Sequence, residues 1–193
     1  MPDSRSPAAP IALLAGVPAI AAGFFWVVLL YIERERLYAH RPMGSNFLIV
    51  LTGTCVMAGL YDLYGSGKSR WAISDKAYLA VAALPPTFMI AAYTLNLVDA
   101  SVPAFLRNPN WGGVLLFPGT MLAGVVLVRH GILPRWNWTP VLLGFVALPL
   151  DETIKASTGW RELGLAAAMT LGAAWIVLGL ATRSMHPDRT VAA

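Results

Sequence analysis

Charge is scarce in this sequence, and several chemistries fall away with it. Of 193 residues only 12% are Asp, Glu, Lys or Arg, while 57% are hydrophobic. Soluble domains carry about 25% charged residues. Cysteine is scarcer still: Cys55 stands alone, so no disulfide can form within the chain and no cysteine metal site exists. The histidines are three, His40, His130 and His186, and none falls inside a long apolar run. That placement argues against b-type haem, His-box di-iron and HExxH zinc chemistry. Those runs also lack Lys and Ser, which excludes a retinal Schiff base and, with no GxSxG present, a serine hydrolase. Gly67-Lys68-Ser69 looks like the end of a phosphate-binding loop, but Asp62 occupies the position where that loop needs its first glycine. Paired Asp-rich motifs of the kind that bind prenyl diphosphates through magnesium are missing as well. No metal and no other cofactor is therefore expected.

A basic run is the last absence. The chain has 14 Lys and Arg against 10 Asp and Glu, a formal net charge of +4, yet the basic residues are scattered over the connections and tails. Nucleic acid is thus not an expected partner. Scattered cations of this kind orient membrane helices and meet anionic headgroups.

What the sequence does contain is six uncharged apolar stretches, at 11–32, 47–61, 77–98, 111–128, 136–150 and 163–182. A hydrocarbon core about 30 Å thick needs about 20 apolar residues per helix. Two stretches, 47–61 and 136–150, are shorter than that. The apolar residues run consecutively rather than in alternation, so helices are expected and not barrel strands. The first stretch exceeds the roughly 7–15 residues of a secretory signal core and reads as a transmembrane helix. The expected fold is an all-α integral membrane protein, a bundle of about six transmembrane helices within a range of five to seven. It forms one polytopic domain over 1–193, with flexible tails at 1–10 and 183–193.

Punctuation supports these boundaries. Glu33-Arg34-Glu35-Arg36 closes the first stretch, Tyr64 to Ser69 forms a Gly- and Ser-rich turn, and Gly131 with Pro134 marks a tight connection. Trp71, Trp111, Trp136, Trp138 and Trp160 fall at stretch ends, where indoles favour headgroups. Small-residue stripes, Ala15-Ala19-Gly23 and Gly164-Ala168-Gly172, are candidates for close helix contact. Six spans would put both termini, Lys68, Arg70, Lys76, Arg129 and Arg135 on one side. Arg34, Arg36, Arg41, Arg107, Lys155 and Arg161 would face the other. The positive-inside bias then favours cytoplasmic termini in a multi-pass cell-membrane protein.

Acidic residues at membrane depth are the strongest functional lead, because a carboxylate in hydrocarbon is costly. Asp62 follows the second stretch within Tyr61-Asp62-Leu63-Tyr64, Asp99 follows the third, and Asp151-Glu152 ends the fifth. Met89, Tyr93, Asn96 and Asp99 are spaced to share one helical face, after a Pro85-Pro86 pair that removes two backbone donors. The alternative is a polar seam between helices. Lys155 could likewise pair with Asp151 or Glu152 across one helical turn.

The candidate catalytic acids are Asp99, Asp151 and Glu152. The candidate substrate-binding residues are Trp26, Met89, Tyr93, Asn96, Tyr61 and Asp62. A carboxylic acid in an apolar, aromatic-rich cavity can protonate an alkene or epoxide, and aromatic faces can stabilise the resulting cation. In size, span number and acid-plus-aromatic content the chain resembles the small integral-membrane terpene cyclases. That resemblance implies a metal-free, acid-initiated cyclisation or isomerisation of an isoprenoid or prenylated substrate. The C-terminal half contains Phe117-Pro118-Gly119, Arg129-His130-Gly131-Ile132-Leu133-Pro134-Arg135-Trp136 and a Gly- and Ala-rich last stretch with Trp175. It is similar to small six-helix bacterial polytopic membrane proteins, which implies a fold but no activity. The expected partners are a lipophilic small molecule and the bilayer, and the competing expectation is a small transporter or accessory membrane subunit without catalysis.

Overall fold

A computed structural model of the chain describes residues 15–36, 43–67, 69–98, 110–132, 138, 140–142, 145 and 161–185. Five helices organise them: α1 (Val17–Arg36), α2 (Met43–Gly67), α3 (Ile73–Leu97), α4 (Asn110–Arg129) and α5 (Arg161–Ser184). Residues 140–142 are also helical, and no strand occurs among the described residues. The protein is all-helical. Each helix falls on one of the apolar stretches, and the fifth stretch, 136–150, falls largely outside the described residues.

The helices outrun the apolar stretches that nucleate them. In α1 the helix continues through Glu33-Arg34-Glu35-Arg36, because Glu and Arg are good helix formers even where they are not apolar. In α2 it passes Tyr61 and Asp62 and ends only at Gly67, so Asp62 lies inside a helix rather than after one. Two segments, Asn46–Gly67 and Ile73–Leu95, are long and apolar enough to cross a membrane, and Val17–Leu29 and Leu116–Arg129 are shorter apolar helices.

Neighbouring helices run antiparallel, as their contacts show. Gly16 meets Asp62 and Ala19 faces Gly59 between α1 and α2. Thr87 reaches Met57 between α2 and α3, and Gly119 approaches Ala82 between α3 and α4. One end of the molecule consequently collects Gly16, Asp62, Gly67, Asp75 and Arg129, together with Arg183 near the end of α5.

Helix α5 packs along α1 through glycine. A Cβ added to Gly179 would sit 2.5 Å from the carbonyl oxygen of Gly16, and one added to Gly172 would sit 2.8 Å from that of Gly23. No side chain fits there, so the two backbones touch at both levels. Gly23 and Gly172 belong to the small-residue stripes visible in the sequence. Ala19, from the same stripe, instead faces Gly59 of α2.

The proline pair lies inside α3, which remains helical from Ile73 to Leu97. Pro85 and Pro86 leave the carbonyls of Val81 and Ala82 without their usual N–H donors. The second of these is approached by α4 at Gly119, where a Cβ would lie 3.2 Å from the Ala82 oxygen. Glycine there permits a backbone C–H contact with that carbonyl.

Apolar side chains occupy both the inside and the outside of this bundle. Ala22, Leu63, Leu116, Val126, Leu127 and Leu178 are buried in the core, while Phe24, Phe47, Leu84, Phe88, Met169 and Leu180 are exposed. Buried Thr52, Thr120 and Thr182 each donate to the carbonyl one turn earlier, at Leu48, Leu116 and Leu178. This satisfies their hydroxyls within their own helices.

Candidate functional site

The polar end of the bundle is built around Asp75, a carboxylate 1% exposed in the first turn of α3. One reason for its position is local. Ala72, which precedes the helix, has no side-chain acceptor, but Asp75 Oδ2 accepts the Ala72 backbone N–H at 3.1 Å. This forms the acidic half of a capping box and places negative charge at the positive end of the helix dipole.

The remaining partners come from α4. Asp75 Oδ1 accepts from Arg129 at 3.1 Å, and Oδ2 lies 2.7 Å from His130 Nε2. A chain reversal at the end of α4 delivers both. Gly131 takes φ of 64°, its N–H bonds Val128 O at 3.0 Å, and the Ile132 N–H reaches back to Leu127 O at 3.1 Å. This is a Schellman ending, for which glycine is suited because the left-handed conformation carries no Cβ penalty. It turns the chain immediately after Arg129 and His130 and leaves both side chains on the α3 side.

Aromatic rings cover the cluster. Trp71 is buried and stacks on the His130 ring with centroids 6.2 Å apart and planes at 18°. Tyr64 meets Trp71 edge-on, with ring centroids 6.4 Å apart. The indole sits over Gly67, in space a Cβ would need. Arg129 also lies over the Tyr78 ring at 5.9 Å, a cation–π contact. The Arg129 and His130 side chains keep 49% and 26% of their surface exposed, so the interior member of the cluster is the carboxylate.

A groove adjoins this end. It has a volume of about 260 Å³ and lies between α2 and α3. Met57, Leu60, Tyr61 and Tyr64 form one wall, and Lys76, Leu79, Ala80 and Ala83 form the other. The groove is partly open, with exposed Tyr61 and Ala80 in its walls, and its lining is apolar apart from the two phenols and half-buried Lys76. Tyr64 is shared between groove and cluster, and Lys76 follows Asp75 directly in the chain. Three hydrogen bonds to the Asp75 carboxylate therefore hold the turn from which Lys76 projects.

The residues singled out in the sequence are described in part. Asp62 Oδ2 accepts the backbone N–H of Gly16, where φ is 75°, and so caps the approach to α1. Tyr61 is 79% exposed at the groove rim. Trp26, Met89 and Tyr93 are buried in the core, and the Trp26 indole N–H finds no acceptor among the described residues. Asn96 lies in the last turn of α3. Asp99, Asp151, Glu152 and Lys155 lie outside the described residues. Among the candidates whose side chains are described, Tyr61 alone lines the groove.

Asp75, Arg129 and His130 escaped the sequence reading. Asp75 stands just before an apolar stretch and looks there like any polar flank. A signal was available in the Arg129-His130-Gly131 turn, since a helix ending on glycine presents its last cations together. Trp71 is likewise buried against His130 instead of standing free at a helix end. No protein-family model matches the chain, and no solved structure matches it.

Proposed function

We propose that the chain is a multi-pass membrane protein whose six apolar stretches span the bilayer, and that it takes up a lipophilic molecule through the groove between α2 and α3. The groove carries this reading. It is mostly apolar, partly open between two helices long and apolar enough to cross a membrane, and has Lys76 in its wall. The membrane setting is supported by the length and apolarity of α2 and α3, with large apolar side chains such as Phe24, Phe88 and Leu180 exposed. The locally satisfied threonines suit a solvent that offers no hydrogen bonds. Positive-inside bias places the termini and the Asp75 cluster on the cytoplasmic side.

The chemistry we propose is metal-free protonation of an isoprenoid or prenylated substrate, with cyclisation or isomerisation following. Asp99, Asp151 and Glu152 are the acids put forward for it. Two carboxylates, Asp62 and Asp75, are engaged in holding helix ends. A non-catalytic binding or transport role draws support from that same observation. Full-length protein in phosphatidylcholine nanodiscs, given neutral prenylated alkenes and epoxides, separates the two. Product formation that falls at least about a hundredfold in Asp99→Asn, Asp151→Asn or Glu152→Gln supports the enzyme. Binding without turnover across all probes leaves the non-catalytic role. Reporter fusions at the two termini test the topology, and opposite-side termini would defeat six spans.

A further inference from the structure

The geometry points to a specific occupant for the α2–α3 groove: a single-chain lipid with an anionic head, its hydrocarbon in the groove and its head against Lys76. The inference rests on the reading of the groove as a lipophilic site and adds the head-group chemistry. Size argues for one chain. Small-molecule pockets run roughly 300–1,000 Å³ and enclose most of a ligand, whereas this groove holds about 260 Å³ and stays open on one side. A hydrocarbon tail fits such a trough while its head remains outside.

Charge argues for the sign of the head. Among the described residues Lys76 has no carboxylate partner, although Asp75 is its neighbour in sequence. Asp75 is turned inward and already shared by Arg129, His130 and the Ala72 amide, so its charge is offset there. The other acid at this end, Asp62, is taken by Gly16. Arg70 and Arg183 also stand exposed at this end, so its described residues carry a cationic surplus. Phenolic O–H groups of Tyr61 and Tyr64, on the facing wall, supply donors suited to a phosphate or carboxylate oxygen. A membrane lipid entering sideways with its head at this level would meet the Lys76 ammonium.

Photolabelling tests this on the full chain in phosphatidylcholine nanodiscs, with a diazirine-bearing dodecyl phosphate as probe and peptide mapping of the adducts. Adducts are expected on the α2 and α3 segments that wall the groove. Excess dodecyl phosphate should compete, and dodecanol and inorganic phosphate should not. Lys76→Gln should lower labelling about tenfold, as expected for loss of a charge-assisted contact, and Lys76→Arg should restore most of it. The unfolding midpoint of each variant guards against misfolding, and the Arg variant keeps the comparison valid if the Gln variant is unstable. Equal competition by dodecanol, or unchanged labelling in Lys76→Gln, would overturn the anionic head while leaving the groove reading intact. Competition by inorganic phosphate would replace it with a free-anion site. Adducts elsewhere, or labelling that persists in Ala80→Trp, would remove the groove reading itself.

Discussion

The α1–α5 and α2–α3 pairs are both antiparallel and apolar, yet one closes to backbone contact and the other leaves a trough. In the first, Gly16 faces Gly179 and Gly23 faces Gly172, so each close level has glycine on both helices. In the second, glycine is one-sided: Gly53 of α2 lies near Ile90 and the Pro86 carbonyl, and toward the polar end Tyr61, Tyr64 and Lys76 stand between the helices. Small residues matter in matched pairs. A glycine on one helix alone permits approach without enforcing it, and long side chains toward one end convert a helix pair into a groove.

The sharpest way to break this comparison is to add volume at the closed seam. Gly179→Leu would drive a branched side chain into the Gly16 carbonyl, which is backbone and cannot rotate away. Overpacking costs about 1–3 kcal/mol where side chains can yield. Here about 3 kcal/mol or more is expected, read from reversible unfolding in mild detergent. A stability within about 1 kcal/mol of the parent would show that the seam is not closed.

The second test concerns the polar end shared by α3 and α4. Asp75→Ala removes a buried acceptor of three donors and should cost about 1–3 kcal/mol. Arg129→Gln touches the same cluster through a half-exposed guanidinium and should cost no more than about 1 kcal/mol. Reversal of that order would mean that the cation, not the buried carboxylate, ties α4 to α3.

How visible each region was in the sequence follows from the range of its contacts. Helix positions were legible because continuous apolar runs are local. Their ends were less so, since α1 extends through Glu33 to Arg36 and α2 through Asp62 to Gly67, past the continuous apolar runs. Gly23 and Gly172 were identifiable as small-residue positions, but the partners that make them necessary lie on a helix far away in the chain. Asp75 was illegible for the same reason: Arg129 and His130 are 54 and 55 positions distant. Nothing beside Asp75 in sequence announces a buried ion pair. Acidity at a stretch end drew attention to Asp62, yet only the fold shows that it serves the Gly16 amide.

That amide gives a third, smaller test. Asp62→Ala leaves Gly16 N–H without its carboxylate acceptor at the start of α1. Loss of such a capping interaction costs about 0.5–2 kcal/mol. The effect should fall below that of Gly179→Leu, because the glycine seam would still hold α1 against α5. Equal effects would mean that the seam depends on Asp62 to set the entry of the chain.

Ala80→Trp should have the smallest effect on stability, although it adds no less volume than Gly179→Leu. Ala80 is exposed on the wall of an open groove, so an indole there can lie along Met57 and Leu79 without displacing a helix. Surface substitutions of this kind usually stay within about 0.5 kcal/mol, and detergent unfolding should show no more. A loss approaching that of the seam variant would mean that α2 and α3 close more tightly than the trough implies. A near-silent result, beside a large cost at Gly179, would establish that tolerance to volume distinguishes the two helix pairs. It would also supply a folded variant in which the groove alone is filled, the control on which the lipid-binding test depends.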